Sequence, residues 1–404
     1  MLDSILSERN IINEPLDLVP RMKSQGYADK YLRGRREWLE RKTGCRLTHV
    51  GAYSITGDEM RGNIENPIGA VQVPLGLAGP LRVNGNYADG LFYVPLATTE
   101  GALVRSYERG MVALTRAGGV TTRVYVDENR VSPVFLFDGV SEAYDFTQQL
   151  PEAFSEIRAH AESTTRHGKL LRLESQPIGR KVIVNFCYST ADAQGMNIIV
   201  KATEQACRWI VAHSRARSFY VFSGYSSEKR PSGSLLAGGK GKKVTAGALL
   251  SKETVRSHLH VTPSNLLDLW QHTVLGHLQA NVIGYNGHYA NGLAALFIAC
   301  GQDVANIVNS AVGITNFEVD QNGDLYASVT LPSLSVATVG GGTGLGTSRE
   351  CLEILGCAGS GHARKFAEIV AATLLAGELS MAAAIASGEF VMAHEAYGRN
   401  RPVA

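Results

Sequence analysis

Metal-binding, secretory and charge-driven signals are all missing from this sequence, and each absence removes a class of function. The six cysteines (Cys45, Cys187, Cys207, Cys300, Cys351 and Cys357) include no CxxC pair and no spacing that suggests a metal site. Most lie in apolar runs, so they read as reduced core thiols and no metal is expected. Lysine and arginine number 39 against 37 aspartates and glutamates, a formal charge of +2, too even to draw nucleic acid or an anionic membrane by charge. No stretch offers the ~18 uninterrupted apolar residues that a spanning helix needs. The nearest, Phe366 to Phe390, is broken by Glu368, Glu378 and Glu389. The opening residues, MLDSILSERN, are acidic where a signal peptide would be basic, so a cytoplasmic protein with no membrane segment in this chain is expected. GxGxxG and P-loop motifs are also missing: the glycines of VGGGTGLGT (339–347) have another spacing, which argues against a Rossmann dinucleotide site.

What is present is a chain of 404 residues, 45% hydrophobic and 19% charged, enough for a large core and two domains. It is organised around Tyr285 to Asp303 (YNGHYANGLAALFIACGQD), a nearly uncharged, small-residue segment. In it His288, Asn291, Ala295, Ala299 and Asp303 step by three or four, so a helix would put them on one face with Leu293, Leu296 and Phe297 on the others. A carboxylate buried there needs a partner or keeps its proton. The face therefore reads as a cleft, or as a structural network from which Asp303 departs just past Gly301. Glu100, after Thr98 and Thr99, is expected in the first turn of a helix that stops at Gly118-Gly119, where the helix dipole favours a carboxylate with or without a chemical role. Residues 27–43 read as an amphipathic surface helix ending near Gly44, and Pro67, Pro74 and Pro80 restrict residues 64–85 to short strands and rigid turns.

Between about 131 and 222 the pattern becomes self-contained: strand VSPVFLFD, a helix over 143–162, strands KLLRLES and KVIVNFCYS, a helix over 195–213, and strand SFYVFSG. That order is βαββαβ, the ferredoxin-like plan, set as an insert in the surrounding chain. Its second helix opens at ADAQGMN, where Asp192 is placed to cap and Gly195 lets a phosphate approach the free N–H groups. Beyond the insert come a polar loop, SGYSSEKRPSG (223–233), and the basic cluster Lys240–Lys243, read as a solvated turn among glycines. Strands DLYASVTLP and LSVATV, two small-residue helices (360–376 and 377–394) and a polar tail after His394 complete the chain. Such tails can act as lids.

Taken in order, ENPIG, VPLGLAGPL, LATTEG, ADAQGMN, EKRP, GYNGHYAN, GQD, TVGGGT and the terminal AHE closely resemble the catalytic portion of 3-hydroxy-3-methylglutaryl-coenzyme A (HMG-CoA) reductase, in its class I-like form shared by eukaryotes and many archaea and bacteria. The resemblance covers roughly residues 25 to 400. It implies an α+β fold: an N-terminal helical segment (1–60), a large, mostly helical substrate-binding domain (61–130 and 223–390) around a long central helix, an inserted ferredoxin-like βαββαβ small domain (131–222) that binds NADPH, and a C-terminal flap (391–404). It also implies a homodimer with shared active sites, or a tetramer, catalysing the NADPH-dependent four-electron reduction of HMG-CoA to mevalonate and free CoA. Carried over residue by residue, the resemblance makes Glu100, Lys229, Asp303 and His394 catalytic. It puts substrate contacts at Ser106, Arg109, Arg130, Ser223, Glu228, Arg230, Lys252, His288 and Asn291, and cofactor contacts at Arg166, Asp192, Gln194, Gly195, Met196 and Asn197.

These residue types suit that chemistry. A lysine can meet an oxyanion, a desolvated glutamate coupled to an aspartate can deliver a proton, and a histidine on a mobile tail can protonate a departing thiolate. The surrounding cations suit a carboxylate and a phosphorylated CoA. The chain departs from the family pattern at Gln194, at VKATE (200–204), at Glu228 and in VANIVNSAVG (304–313), and Asn400 stands where some members carry a phosphorylated serine. Two other readings stand beside this one: the same scaffold reducing a different acyl-CoA thioester, which the altered residues 304–313 support, or a non-catalytic acyl-CoA or nucleotide-binding protein. Retention of all four catalytic residue types argues against the second.

Overall fold

The structure is a computed structural model that describes residues 18–21 and 26–391; His394 and all but the first residue of the 391–404 flap lie outside the described residues. The chain divides after Gln72. In the first unit, helix α1 (Asp29–Thr43) ends, as its sequence predicts, on Gly44 in the left-handed conformation (φ 72°), which glycine adopts without strain. Arg35 is buried and tied to the carbonyls of Gly26 and Pro67. A single turn, α2 (Gly57–Met60), starts on a capping box between Thr56 and Glu59.

The second unit is built on one continuous strand assembly. Strands β1 (Leu75–Gly85) and β2 (Asp89–Ala97) form an antiparallel pair, helix α3 (Leu103–Arg116) follows, and β3 (Val120–Val131) returns to lie parallel to β1. Past β3 the chain makes β4 (Val134–Leu136), α4 (Val140–Gln149), α5 (Phe154–Glu162), β5 (Lys169–Ile178), β6 (Lys181–Ser189), α6 (Met196–Ala212) and β7 (Ser218–Tyr220). The strand order there is β7-β4-β6-β5, all pairs antiparallel, with the last residues of β3 also paired to β6. These elements close over their own apolar core, which includes Phe135, Phe137, Phe186 and Tyr188.

The single helix expected over 143–162 is two helices, because Pro151 lacks the N–H that would continue α4. The strand expected over 218–224 stops at Tyr220.

The chain then forms β8 (Gly241–Leu250), α7 (Lys252–Leu259), α8 (Pro263–Gln279), α9 (Tyr289–Ala299), α10 (Ile307–Ser310), β9 (Ile314–Val319), β10 (Leu325–Leu334), α11 (Gly346–Ile354) and α12 (Ala363–Ala386). Strands β8, β10 and β9 extend the sheet beyond β3. LSVATV adds no strand of its own past Leu334. The result is a mixed α and β protein on a largely antiparallel sheet.

Helix α12 is one 24-residue helix, not two: Gly377 lies inside it. A β-carbon there would fall 2.4 Å from the buried ring of Tyr107, and one on Gly110 of α3 would fall 2.0 Å from the carbonyl oxygen of Ala376. The small residues that read as helix breakers are thus what lets α3 and α12 approach. The helix is long and apolar enough to cross a membrane, but 83% of its most apolar window is buried inside the protein, as a core helix would be. Its two glutamates are buried and saturated with donors. Glu368 accepts the backbone N–H groups of Asn86, Tyr87 and Ala88 at 3.2, 2.9 and 2.7 Å. Glu378 accepts those of Gly287 and His288 and the hydroxyl of Thr315.

Candidate active site

Glu100 is not in a helix. Ala102, in the left-handed conformation (φ 68°), precedes the first residue of α3, Leu103, so Glu100 stands in the exposed loop between β2 and α3 with its N–H donated to Thr98 Oγ1 at 2.9 Å. Its carboxylate accepts from Asn291 Nδ2 at 2.8 Å. Asn291 is in the first turn of α9, and His288 is that helix's N-cap. The stretch 285–303 therefore does not present a single face through Asp303: the helix ends at Ala299, Gly301 (φ 63°) turns the chain, and Asp303 starts a short 3₁₀ turn by accepting the N–H of Ala305 at 3.1 Å.

His288 is buried, its ring stacked on Tyr107 at 5.1 Å and its carbonyl accepting the Tyr107 hydroxyl at 3.1 Å. Burial lowers its pKa from the ordinary histidine value against the opposing pull of Glu100, which keeps it neutral at pH 7.

Two further expected residues join this group. Arg109 donates from Nε to Ser380 Oγ at 3.0 Å, from Nη2 to the Ser380 carbonyl at 2.6 Å and from Nη1 to Glu389 at 3.3 Å; Ser106 donates to Ser380 Oγ at 3.2 Å. Glu100, Ser106, Arg109, His288 and Asn291 all line one cavity of about 930 Å³, together with Met381 and Phe390. That volume is within the range of clefts that bury small-molecule ligands.

A second group forms around the polar loop 223–233. Lys229 Nζ pairs with Asp303 Oδ2 at 2.7 Å, both side chains partly exposed. The backbone of Lys229 is left-handed (φ 55°), as is that of Ser227 (φ 56°), a conformation that non-glycine residues hold only where the surroundings enforce it. The Ser223 hydroxyl donates to the Ser132 carbonyl at 2.6 Å, and Arg230 donates to the Glu228 carbonyl at 3.1 Å.

The basic cluster beside the loop is not a solvated turn. Lys240 is fully buried, ion-paired to Glu228, and reaches the Arg130 carbonyl at 3.3 Å and Met196 Sδ at 3.2 Å; Lys242, on β8, pairs with Asp127 at 3.1 Å. Burial lowers the Lys240 pKa, and Glu228 opposes it. Arg130 is buried over Gly239, with Nε and Nη2 unpaired by any described residue. In the sequence these lysines read as surface because glycines flank them. The signal it lacked was the register that puts Gly241 and Lys242 inside the β3-β8-β10 sheet.

The residues expected at the cofactor are partly together. Gly195 is left-handed (φ 71°) at the start of α6, with Thr190 packed where a β-carbon would project, and the Gln194 carbonyl accepts from Asn129 at 3.0 Å. Asp192 does not cap α6. Its carboxylate accepts the N–H groups of Gly361 (2.7 Å) and Ala363 (3.1 Å) and the Ser360 hydroxyl (3.2 Å), so it caps α12 instead. Arg166 is exposed on the α5–β5 turn. Lys252 joins neither group: its Nζ donates to the Asn322 carbonyl at 3.3 Å in the β9–β10 turn. His394 lies outside the described residues. Among those described, no cluster of histidine, cysteine and acidic residues could hold a metal.

The family model for hydroxymethylglutaryl-coenzyme A reductase matches residues 32–399. This chain belongs to that family. It is 45% identical to the 3-hydroxy-3-methylglutaryl-coenzyme A reductase of Methanothermobacter thermautotrophicus over 92% of its own length and 94% of the relative's. It is likewise 45% identical to that of Methanocaldococcus jannaschii, over 90% and 92%. Among solved structures, the reductase of Streptococcus pneumoniae superposes with a TM-score of 0.69 at 20% identity, covering 90% of this chain and 99% of the other. A class II structure of the Streptococcus pneumoniae reductase described as bound to NADPH gives 0.67 at 19%, covering 90% and 100%. At that identity the likeness speaks to the fold.

The motifs that carry the resemblance fall on both groups of residues. Ser380 and Glu378 of α12, with Glu389 just past its end, hold Arg109 and His288; the sequence does not single them out, because a carboxylate or hydroxyl in or beside an apolar helix looks the same whether it serves the fold or a neighbouring cavity.

Proposed function

We propose that the chain is a class I-type, NADPH-dependent enzyme that reduces HMG-CoA to mevalonate and free CoA, with Glu100, Lys229, Asp303 and His394 as its catalytic residues. The observation that carries the assignment is the 2.7 Å pairing of Lys229 with Asp303, which brings the cation of EKRP to the carboxylate of GQD from segments about seventy residues apart.

Lys229 offers its ammonium to the carbonyl oxygen that becomes an oxyanion in each reduction, and a preorganised charge there is worth several kcal/mol. Asp303 holds that ammonium in place. Glu100, held by Asn291, delivers the proton to the oxygen at the aldehyde stage. His394, outside the described residues, protonates the CoA thiolate as it leaves. Arg109, Ser106 and Arg130 supply the cationic and polar contacts that a phosphorylated CoA and the acyl carboxylate require.

The insert fits the ferredoxin-like plan through its β7-β4-β6-β5 order. NADPH, when bound, supplies the hydride for each of the two reductions. Residues 194–197 fit it: no side chain caps the start of α6, so its first-turn N–H groups are placed to meet a phosphate. Arg166 is free of the sheet to meet a 2′-phosphate. Asp192, engaged at the start of α12, supports the loop rather than touching the cofactor.

Among the described residues, Lys229 and Asp303 do not line the cavity that holds Glu100; a homodimer or tetramer with shared sites is the assembly that the resemblance implies. The unpaired thiols suit the cytoplasm.

The test is NADPH oxidation measured with HMG-CoA and a panel of other acyl-CoAs. Two NADPH consumed per mevalonate formed is the expected result, and turnover of another thioester with none of HMG-CoA would move the chain to the alternative substrate. In His394→Gln, thioester reduction should fall far more than reduction of mevaldehyde, which has no thiolate to expel; equal losses would remove His394 from its role.

A further inference from the structure

We propose that Glu378, in the interior of α12, is a positioning residue for Glu100, acting through the first turn of α9. The proposal rests on the reading of Glu100 as a catalytic group. Glu378 is buried, and both of its oxygens accept from Gly287 N at 3.1 Å; one also accepts the His288 N–H and the other the Thr315 hydroxyl at 2.7 Å. Gly287 and His288 are the two residues that lead into α9, so the carboxylate fixes where that helix begins. Three residues on, Asn291 holds Glu100 Oε2 at 2.8 Å.

Glu100 itself is in a loop and exposed, and its side chain has no other hydrogen-bond partner among the described residues. Its orientation therefore depends on where α9 starts, and that start depends on Glu378. Gly287 also faces Met381, one turn along α12, which occupies the space of a β-carbon, so the approach of the α9 lead-in to α12 is set on both sides.

A comparison is built into the same helix. Glu368 is equally buried and equally saturated, by three backbone N–H groups of the β1–β2 turn, but neither it nor that turn lines the cavity. A merely structural role for buried carboxylates of α12 predicts that the two behave alike; the positioning role predicts that they do not.

The experiment uses the full chain and the variants Glu378→Gln, Glu368→Gln, Asn291→Ala and the double variant Glu378→Gln/Asn291→Ala. Hydrogen exchange of peptides spanning 285–292 should accelerate in Glu378→Gln by about tenfold or more while the central sheet keeps its protection. The kcat for HMG-CoA should fall by about 10- to 100-fold, the scale of a misplaced catalytic group. The double variant should fall no further than the worse single variant, because both changes act on the same bond. Glu368→Gln should lose stability but keep the kcat of its folded fraction.

Additive losses in the cycle, unchanged exchange at 285–292, or an equal loss of kcat in Glu368→Gln would each overturn the proposal. If Glu378→Gln does not fold, Glu378→Asp, which keeps the charge but withdraws it by one methylene, takes its place in every arm. If the wild-type chain does not reduce HMG-CoA, the functional reading fails, and exchange alone decides whether Glu378 anchors the start of α9.

Discussion

Lys229 combines a left-handed backbone with a partly exposed side chain paired to Asp303, an arrangement that contributes little to folding. With side chains 44% and 38% exposed, solvent screens the pair, and its share of stability is under about 1 kcal/mol. In the proposed mechanism its role is different in kind, since an ammonium fixed beside an oxyanion acts only in the transition state. Lys229→Ala should therefore lower kcat by about 10²–10³-fold or more while shifting the urea midpoint little. Near-full turnover in this variant would remove Lys229 from the centre of the mechanism.

At the scale of elements, α12 decides more than any other part. Its small residues admit Tyr107 and α3, so Gly377→Ala sets two effects against each other. The methyl favours helix by about 1 kcal/mol but lands 2.4 Å from a fully buried tyrosine ring, and overpacking of that kind costs about 1–3 kcal/mol. The variant should be less stable on balance, and a raised melting temperature would show that Tyr107 yields.

The start of α12 makes a second prediction. Burial works against the ionised Asp192, but the N–H groups of Gly361 and Ala363 and the Ser360 hydroxyl outweigh it, with help from Lys242, and hold its carboxyl below the usual range. A depressed folded pKa means the unfolded chain takes up the proton first. The stabilisation is therefore present above the unfolded value, near 3.9, and is lost as the pH falls through the lower folded one. Asp192→Asn should cost about 1 kcal/mol at pH 7, as a lost helix cap does, and the gap to wild type should close below about pH 4. A gap independent of pH would mean the charge is irrelevant.

Elements with a clear period or a hard stop are legible in the sequence: α1 ending on Gly44, β6 spanning KVIVNFCYS, and the order of strands and helices in the insert apart from the break at Pro151 and the early end of β7. What was not legible depended on contacts between distant segments. The partner of Asp192 is about 170 residues away, the buried setting of Lys240 comes from sheet register, and Gly377 looks like a break until Tyr107 is seen beside it.

At the scale of the whole second unit, two apolar cores share one sheet. The larger is packed around α3, α9 and α12, and the smaller around the 131–216 elements. They are joined by the length of β3 and by polar ties at Asn129–Gln194, Asp192–Ala363 and Lys240–Met196. Those ties converge on residues 192–197, so a ligand that orders this loop should be felt at the start of α12 before it is felt at the cavity. Hydrogen exchange with each substrate alone tests the arrangement. NADPH at a hundred times its Kd stabilises what it binds by about 2.7 kcal/mol; it should slow exchange in 190–200 and, through Asp192, in 360–366. HMG-CoA should instead protect 100–109 and 287–291, which line the cavity. Protection of 100–109 by NADPH with 190–200 unchanged would exchange the two assignments, because the insert would then not carry the cofactor.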